Sequence, residues 1–61
     1  MEEAIREFQA ALRVNPDYAE AHCGLGIAYN LQGRLMETRL EARLALQLGY
    51  EPARQLLAQL G

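Results

Sequence analysis

Apolar residues in this chain recur every three or four positions, the spacing of a helix surface, and no stretch offers the strict alternation of a half-buried strand. From Glu2 to Val14, the residues Ala4, Ile5, Phe8, Ala11 and Leu12 make one apolar stripe, with Glu2, Glu3, Arg6 and Arg13 on the wet side. Asn15-Pro16-Asp17 ends this helix, because Pro16 cannot donate the next backbone bond and disfavours the helical conformation at Asn15. Asp17 then offers a carboxylate to cap a second helix, over about 18–32.

That second helix has two edges: His22, Leu25, Gly26 and Tyr29 on a packing edge, and Glu20, Cys23, Ile27 and Asn30 on another face. Gly24 and Gly26 each cost roughly 1 kcal/mol relative to Ala in a helix interior. At Gly26, on the packing edge, the missing side chain lets a neighbouring helix approach. Gly33 marks a turn, after which a third helix over about 34–48 carries Met36, Leu40, Leu44 and Leu48 on one line, with Leu35, Ala42 and Leu46 beside it. Gly49 terminates it, and Glu51-Pro52 opens a fourth helix over about 52–60 whose apolar side is Leu56, Leu57 and Leu60. The expectation is an all-α fold of four helices, with short connections making consecutive helices antiparallel neighbours.

Sliding the sequence along itself until Glu3 falls on Glu37 also brings Glu7, Ala11 and Leu12 onto Glu41, Ala45 and Leu46. A period of this size in helix hairpins is the signature of a solenoid, in which each hairpin buries its apolar faces against its neighbours.

Composition narrows the picture further. A chain of 61 residues makes at most one small domain, and at this size only about 60% of the unfolded surface is buried. Cys23 is the sole cysteine and His22 the sole histidine, so neither an internal disulfide nor a cysteine-rich zinc site supports the fold. Association is what remains. The net charge is −2 and the six basic residues are all Arg, dispersed from Arg6 to Arg54, which leaves no nucleic-acid footprint. No apolar run approaches the roughly 20 residues of a membrane span, and Glu2 and Glu3 stand where a secretory signal carries positive charge. A soluble chain in the cytoplasm is the expectation.

Reaction chemistry is not visible. His22 and Cys23 are adjacent, pointing about 100° apart around a helix, and read as packing residues. Glu20 one turn from Cys23 opposes a stabilised thiolate. The carboxylate pairs Glu3/Glu7 and Glu37/Glu41 read as a solvated face among Arg39 and Arg43. With no Ser, one Thr and no glycine-rich phosphate loop, the reading is a non-enzyme with no cofactor and no metal.

The residues resemble the tetratricopeptide repeat family. Leu25, Gly26 and Tyr29 match the family's first-helix pattern, with His22 where an aromatic is commonest and Gly33 at the turn. Upstream, EEAIREFQAALRVNPDY is similar to the family's second helix and exit turn, with Ala4, Phe8, Ala11 and Pro16 in the signature slots. The resemblance implies that 1–18 is the second helix of one repeat, 19–52 a complete repeat and 53–61 a capping or next-repeat helix, the whole being a piece of a longer array. Thr38, Ala42 and Tyr50 depart from the slots held upstream by Ala4, Phe8 and Pro16.

It also implies a right-handed stack of helix pairs whose concave surface receives a peptide or a partner's helix. Carried onto this chain, that surface is Glu20, Cys23, Ile27, Asn30 and Leu31. The absence of Lys sets it apart from members that grip a C-terminal carboxylate. The alternative is a structural oligomerisation or spacer unit, a homo-oligomer held through Ile5, Phe8 and Leu12 of the first helix and Leu56, Leu57 and Leu60 of the last.

Overall fold

Four α-helices make up the regular structure of the computed structural model, which describes residues 2–60. They are α1 (Glu2–Val14), α2 (Ala19–Leu31), α3 (Leu35–Gln47) and α4 (Ala53–Gln59), each end within one residue of the sequence expectation. The fold is all-α. Consecutive helices pack on one another, and α2 also reaches α4.

The same closing device ends α2 and α3. Gly33 and Gly49 adopt φ of 78° and 97°, a left-handed conformation that costs a residue without Cβ little. After α2, the Arg34 N–H donates to the Tyr29 carbonyl at 2.9 Å and the Gly33 N–H to the Asn30 carbonyl at 3.0 Å. After α3, Tyr50 and Gly49 repeat the pattern onto the carbonyls of Ala45 and Leu46. The entry to α2 differs from expectation: Tyr18 is the N-cap residue, with no side-chain capping bond. Asp17 instead donates its backbone N–H to Asn15 Oδ1 at 3.2 Å, a local turn that competes with a cap.

α2 is the shared element of two apolar clusters. Toward α1 it presents Leu25, Ala28 and Tyr29 to Ile5, with Phe8 and Leu12 packed alongside. Toward α3 and α4 it presents Cys23 to Ala42, Ala45, Ala53 and Leu56. Burial on two sides explains why seven of its 13 residues are buried.

Both glycines of α2 are at close approaches. A Cβ on Gly26 would lie 3.1 Å from Leu56 Cδ2 and 3.4 Å from the Thr38 carbonyl oxygen, so the expected close approach of a neighbouring helix is present at α3, with α4 as a further neighbour. At Gly24 a Cβ would lie 2.6 Å from Phe8 Cε1, inside the ring's van der Waals envelope. The α1–α2 approach thus depends on this second glycine as well.

Two expectations are corrected. The bulky line of α3 faces outward: Met36 is 77% exposed and Leu40 66%, with Leu35, Leu44 and Leu48 also exposed. The buried line is Thr38, Ala42 and Ala45, each fully covered, with the Thr38 hydroxyl donating to the Arg34 carbonyl at 2.9 Å. Small side chains allow α3 to approach α2 more closely than leucines would, and close packing against a glycine edge rewards that. The second correction concerns the residues named for self-association. Ile5 and Leu56 are buried inside the chain, and Phe8, Leu12 and Leu57 pack against the same clusters, so these positions are largely used within the chain.

Candidate protein-binding groove

Between α2 and α4 runs a cleft of about 420 Å³. Cys23, Ile27, Asn30 and Leu31 of α2 form one wall, four of the five residues expected on the binding surface. Tyr50, Pro52, Gln55, Leu56 and Gln59 form the other. Ile27 is 49% exposed and Leu31 66%, so both offer apolar surface to a ligand. Cys23 differs from its expected availability, because Ala42, Ala45, Ala53 and Leu56 cover it to 5% exposure and leave it as floor. Burial pushes its thiol pKa up, away from nucleophilic character.

None of the described residues lining this cleft is charged. Its polar groups include the carboxamides of Asn30, Gln55 and Gln59, which can donate and accept at once, as a peptide backbone does. Glu20 lies apart from the other four. It lines a second depression of about 350 Å³ with Asp17, Tyr18 and Leu48. Tyr50 borders both depressions, so an acidic end and a neutral, apolar end share one residue. On the other side of Ile27, a small apolar cleft of about 160 Å³ opens among Ala4, Phe8, Gly24 and Ala28.

The α4 wall was not read from the sequence as part of this surface. A signal exists: Gln55 and Gln59 are four residues apart and share a helix face. The start of α4 at Ala53, one repeat period after the start of α2 at Ala19, also marks it as the counterpart of the groove helix.

The groove is braced from behind by His22, which is buried. Its Nδ1 lies 2.7 Å from Glu41 Oε1 and its Nε2 lies 2.8 Å from the Pro16 carbonyl oxygen. One ring therefore ties α2 to α3 and to the α1–α2 turn. This corrects the reading of Glu37 and Glu41 as a uniformly solvated pair: the Glu41 side chain is 23% exposed and faces His22. Glu37 remains at the surface, accepting from Arg34 at 3.0 Å, while the Arg34 guanidinium stacks 4.5 Å over the Tyr29 ring. Among the described residues no cluster of three or more metal-binding side chains occurs, and no helix is long and apolar enough to cross a membrane.

Compared with known protein families, the chain matches a family model described as a TPR repeat over residues 1–33. That stretch comprises α1, the Pro16 turn, α2 and the Gly33 turn. No curated protein and no solved structure matches the chain.

Proposed function

The chain belongs to the tetratricopeptide (TPR) repeat family, a family of protein-interaction modules, and we propose that it binds a peptide or partner helix in the groove between α2 and α4 without catalysing a reaction. One observation carries this reading: Ile27, Asn30 and Leu31 converge with Gln55 and Gln59 around a single cleft. Carboxamides flanking apolar surface suit an uncharged backbone with one or two apolar side chains. Asp17 and Glu20 at the neighbouring depression favour a basic residue at one end of the ligand. Specificity then comes from apolar fit in the neutral part and from charge at the acidic end.

A displayed library of random peptides, selected on the 61-residue chain, tests this. The expected outcome is enrichment of sequences pairing an apolar residue with a basic one, with amide shift changes on binding confined to residues 17–31, Tyr50 and α4. Replacing Ile27 by Glu abolishes capture while leaving the helical spectrum intact. Perturbations centred on α1 or on the outer face of α3 would overturn the groove assignment.

A further inference from the structure

Among the described residues, the outward line of α3 is the largest run of exposed apolar side chains: Met36, Leu40, Leu44 and Leu48, four residues apart in succession. The repeat makes this unusual. The displacement that lays Glu3 on Glu37 puts Glu2, Arg6, Ala10 and Val14 at the same positions on α1, a line that is mostly polar or small. The apolar line is therefore a property of α3 and not of the repeated unit.

Its edges carry opposite charge. On a helix of about 3.6 residues per turn, Arg39 and Arg43 fall along one side of the line, and Glu37 and Glu41 along the other. Both arginines are exposed and neither takes part in an ion pair among the described residues. The carboxylates use one oxygen each within the chain, Glu37 Oε2 toward Arg34 and Glu41 Oε1 toward His22. The Glu37 side chain is 43% exposed and its carboxylate can still meet an incoming guanidinium, whereas Glu41 is turned toward His22.

We infer that the outer face of α3 is an interface between two copies of this chain, paired through the Met36–Leu40–Leu44–Leu48 line. An apolar ridge of residues four apart fits the groove beside an identical ridge, giving the commonest helix-crossing class in globular proteins. A two-fold axis running along the helices lays the arginine edge of each copy on the glutamate edge of the other, as flanking charges meet in a parallel helix pair. An axis across the helices would set like charges together. The four apolar residues expose roughly 400 Å², within the range of the largest patch on a typical monomer, which is often functional. With the Arg, Glu and Gln47 stems as rim, the face reaches about 600 Å² per copy, the small end of specific interfaces. This pairing uses no residue that lines the cleft between α2 and α4. Met36, Leu40 and Leu44 lie outside both depressions, so the cleft between α2 and α4 stays open in each copy, while Leu48 also borders the acidic depression.

Sedimentation of the 61-residue chain between about 1 and 100 µM tests the pairing. A reversible monomer–dimer equilibrium is expected, weakened about tenfold or more by Leu40→Glu, a change at a position already 66% exposed and so compatible with folding. Arg43→Glu weakens it and Arg39→Glu with Arg43→Glu weakens it further, while Ile27→Glu in the groove leaves it unchanged. A monomer throughout this range overturns the inference, as does a dimer indifferent to Leu40→Glu. Binding of the monomer to anionic lipid vesicles, lost in Leu40→Glu, would also overturn it and make the face a membrane contact.

Discussion

His22 and Glu41 meet at 2.7 Å across the α2–α3 interface, while the other ring nitrogen of His22 donates to the Pro16 carbonyl oxygen at 2.8 Å. A carbonyl only accepts, so Nε2 carries a proton, and the short contact at Nδ1 needs one proton between ring and carboxylate. Replacing Glu41 by Gln keeps a group that can donate to Nδ1, whereas Leu leaves a buried ring nitrogen without a partner. Glu41→Leu should therefore cost about 1–3 kcal/mol of stability and Glu41→Gln about 1 kcal/mol or less. Urea unfolding of the two variants checks this; equal losses would mean that the contact contributes through packing alone.

The two glycines of α2 answer substitution differently. Alanine gains roughly 1 kcal/mol in helix propensity at either site. At Gly24 that gain meets the Phe8 ring, with Cε1 only 2.6 Å from the added carbon, so α1 or the ring must move. Gly24→Ala is expected to destabilise by about 1–2 kcal/mol in the native background and to become stabilising when Phe8 is also Ala. A double-mutant cycle by thermal denaturation gives the sign of the coupling.

Cys23 reports on the groove floor. Burial raises its thiol pKa, so the unfolded chain loses the proton first. The associated stability is complete below the unfolded thiol's range and declines as pH rises through the folded value; Cys23→Ala flattens this alkaline limb. Alkylation of the native thiol should run at least about tenfold slower than in the urea-unfolded chain. Equal rates would show that the floor opens freely.

Glu37 acts on the acid side. A hydrogen bond from its own backbone N–H, and then the Arg34 guanidinium, hold its carboxyl below the usual carboxylate range. Its contribution is present above the unfolded carboxylate value and is lost as pH falls through the lower folded one. Glu37→Gln should make stability less steep with pH between about 5 and 3, and added salt should shrink the difference. Titrations under denaturant at two salt concentrations test both parts.

The helix boundaries were legible because glycine and proline punctuate this chain and each acts through its own backbone. The choice of face was legible only where one line was apolar. α1 has a single stripe, and it packs as expected. α3 has two, one of leucines and one of Thr38, Ala42 and Ala45, and periodicity cannot rank a bulky line against a small one. Closeness of approach ranks them, and that depends on Gly26 opposite. In the groove, Ile27, Asn30 and Leu31 were readable from helical spacing on one element. The wall supplied by Tyr50, Gln55 and Gln59 is a tertiary fact, as is the meeting of His22 with Glu41, 19 residues on.

Three of the nine residues that line the groove, Gln55, Leu56 and Gln59, belong to α4, a helix of only seven residues without a side-chain cap. A helix that short does not persist on its own and is docked here mainly through Ala53 and Leu56. Under the proposed function, the apparent affinity for a ligand is thus the intrinsic affinity multiplied by the fraction of time α4 is seated. Chain packed after residue 61 that steadies this helix would tighten binding without touching the ligand, and whatever loosens it would act as a release. In the proposed binding mode, affinity is tuned through Ala53 and Leu56 of α4 while selectivity rests on Ile27, Leu31, Asp17 and Glu20 outside it.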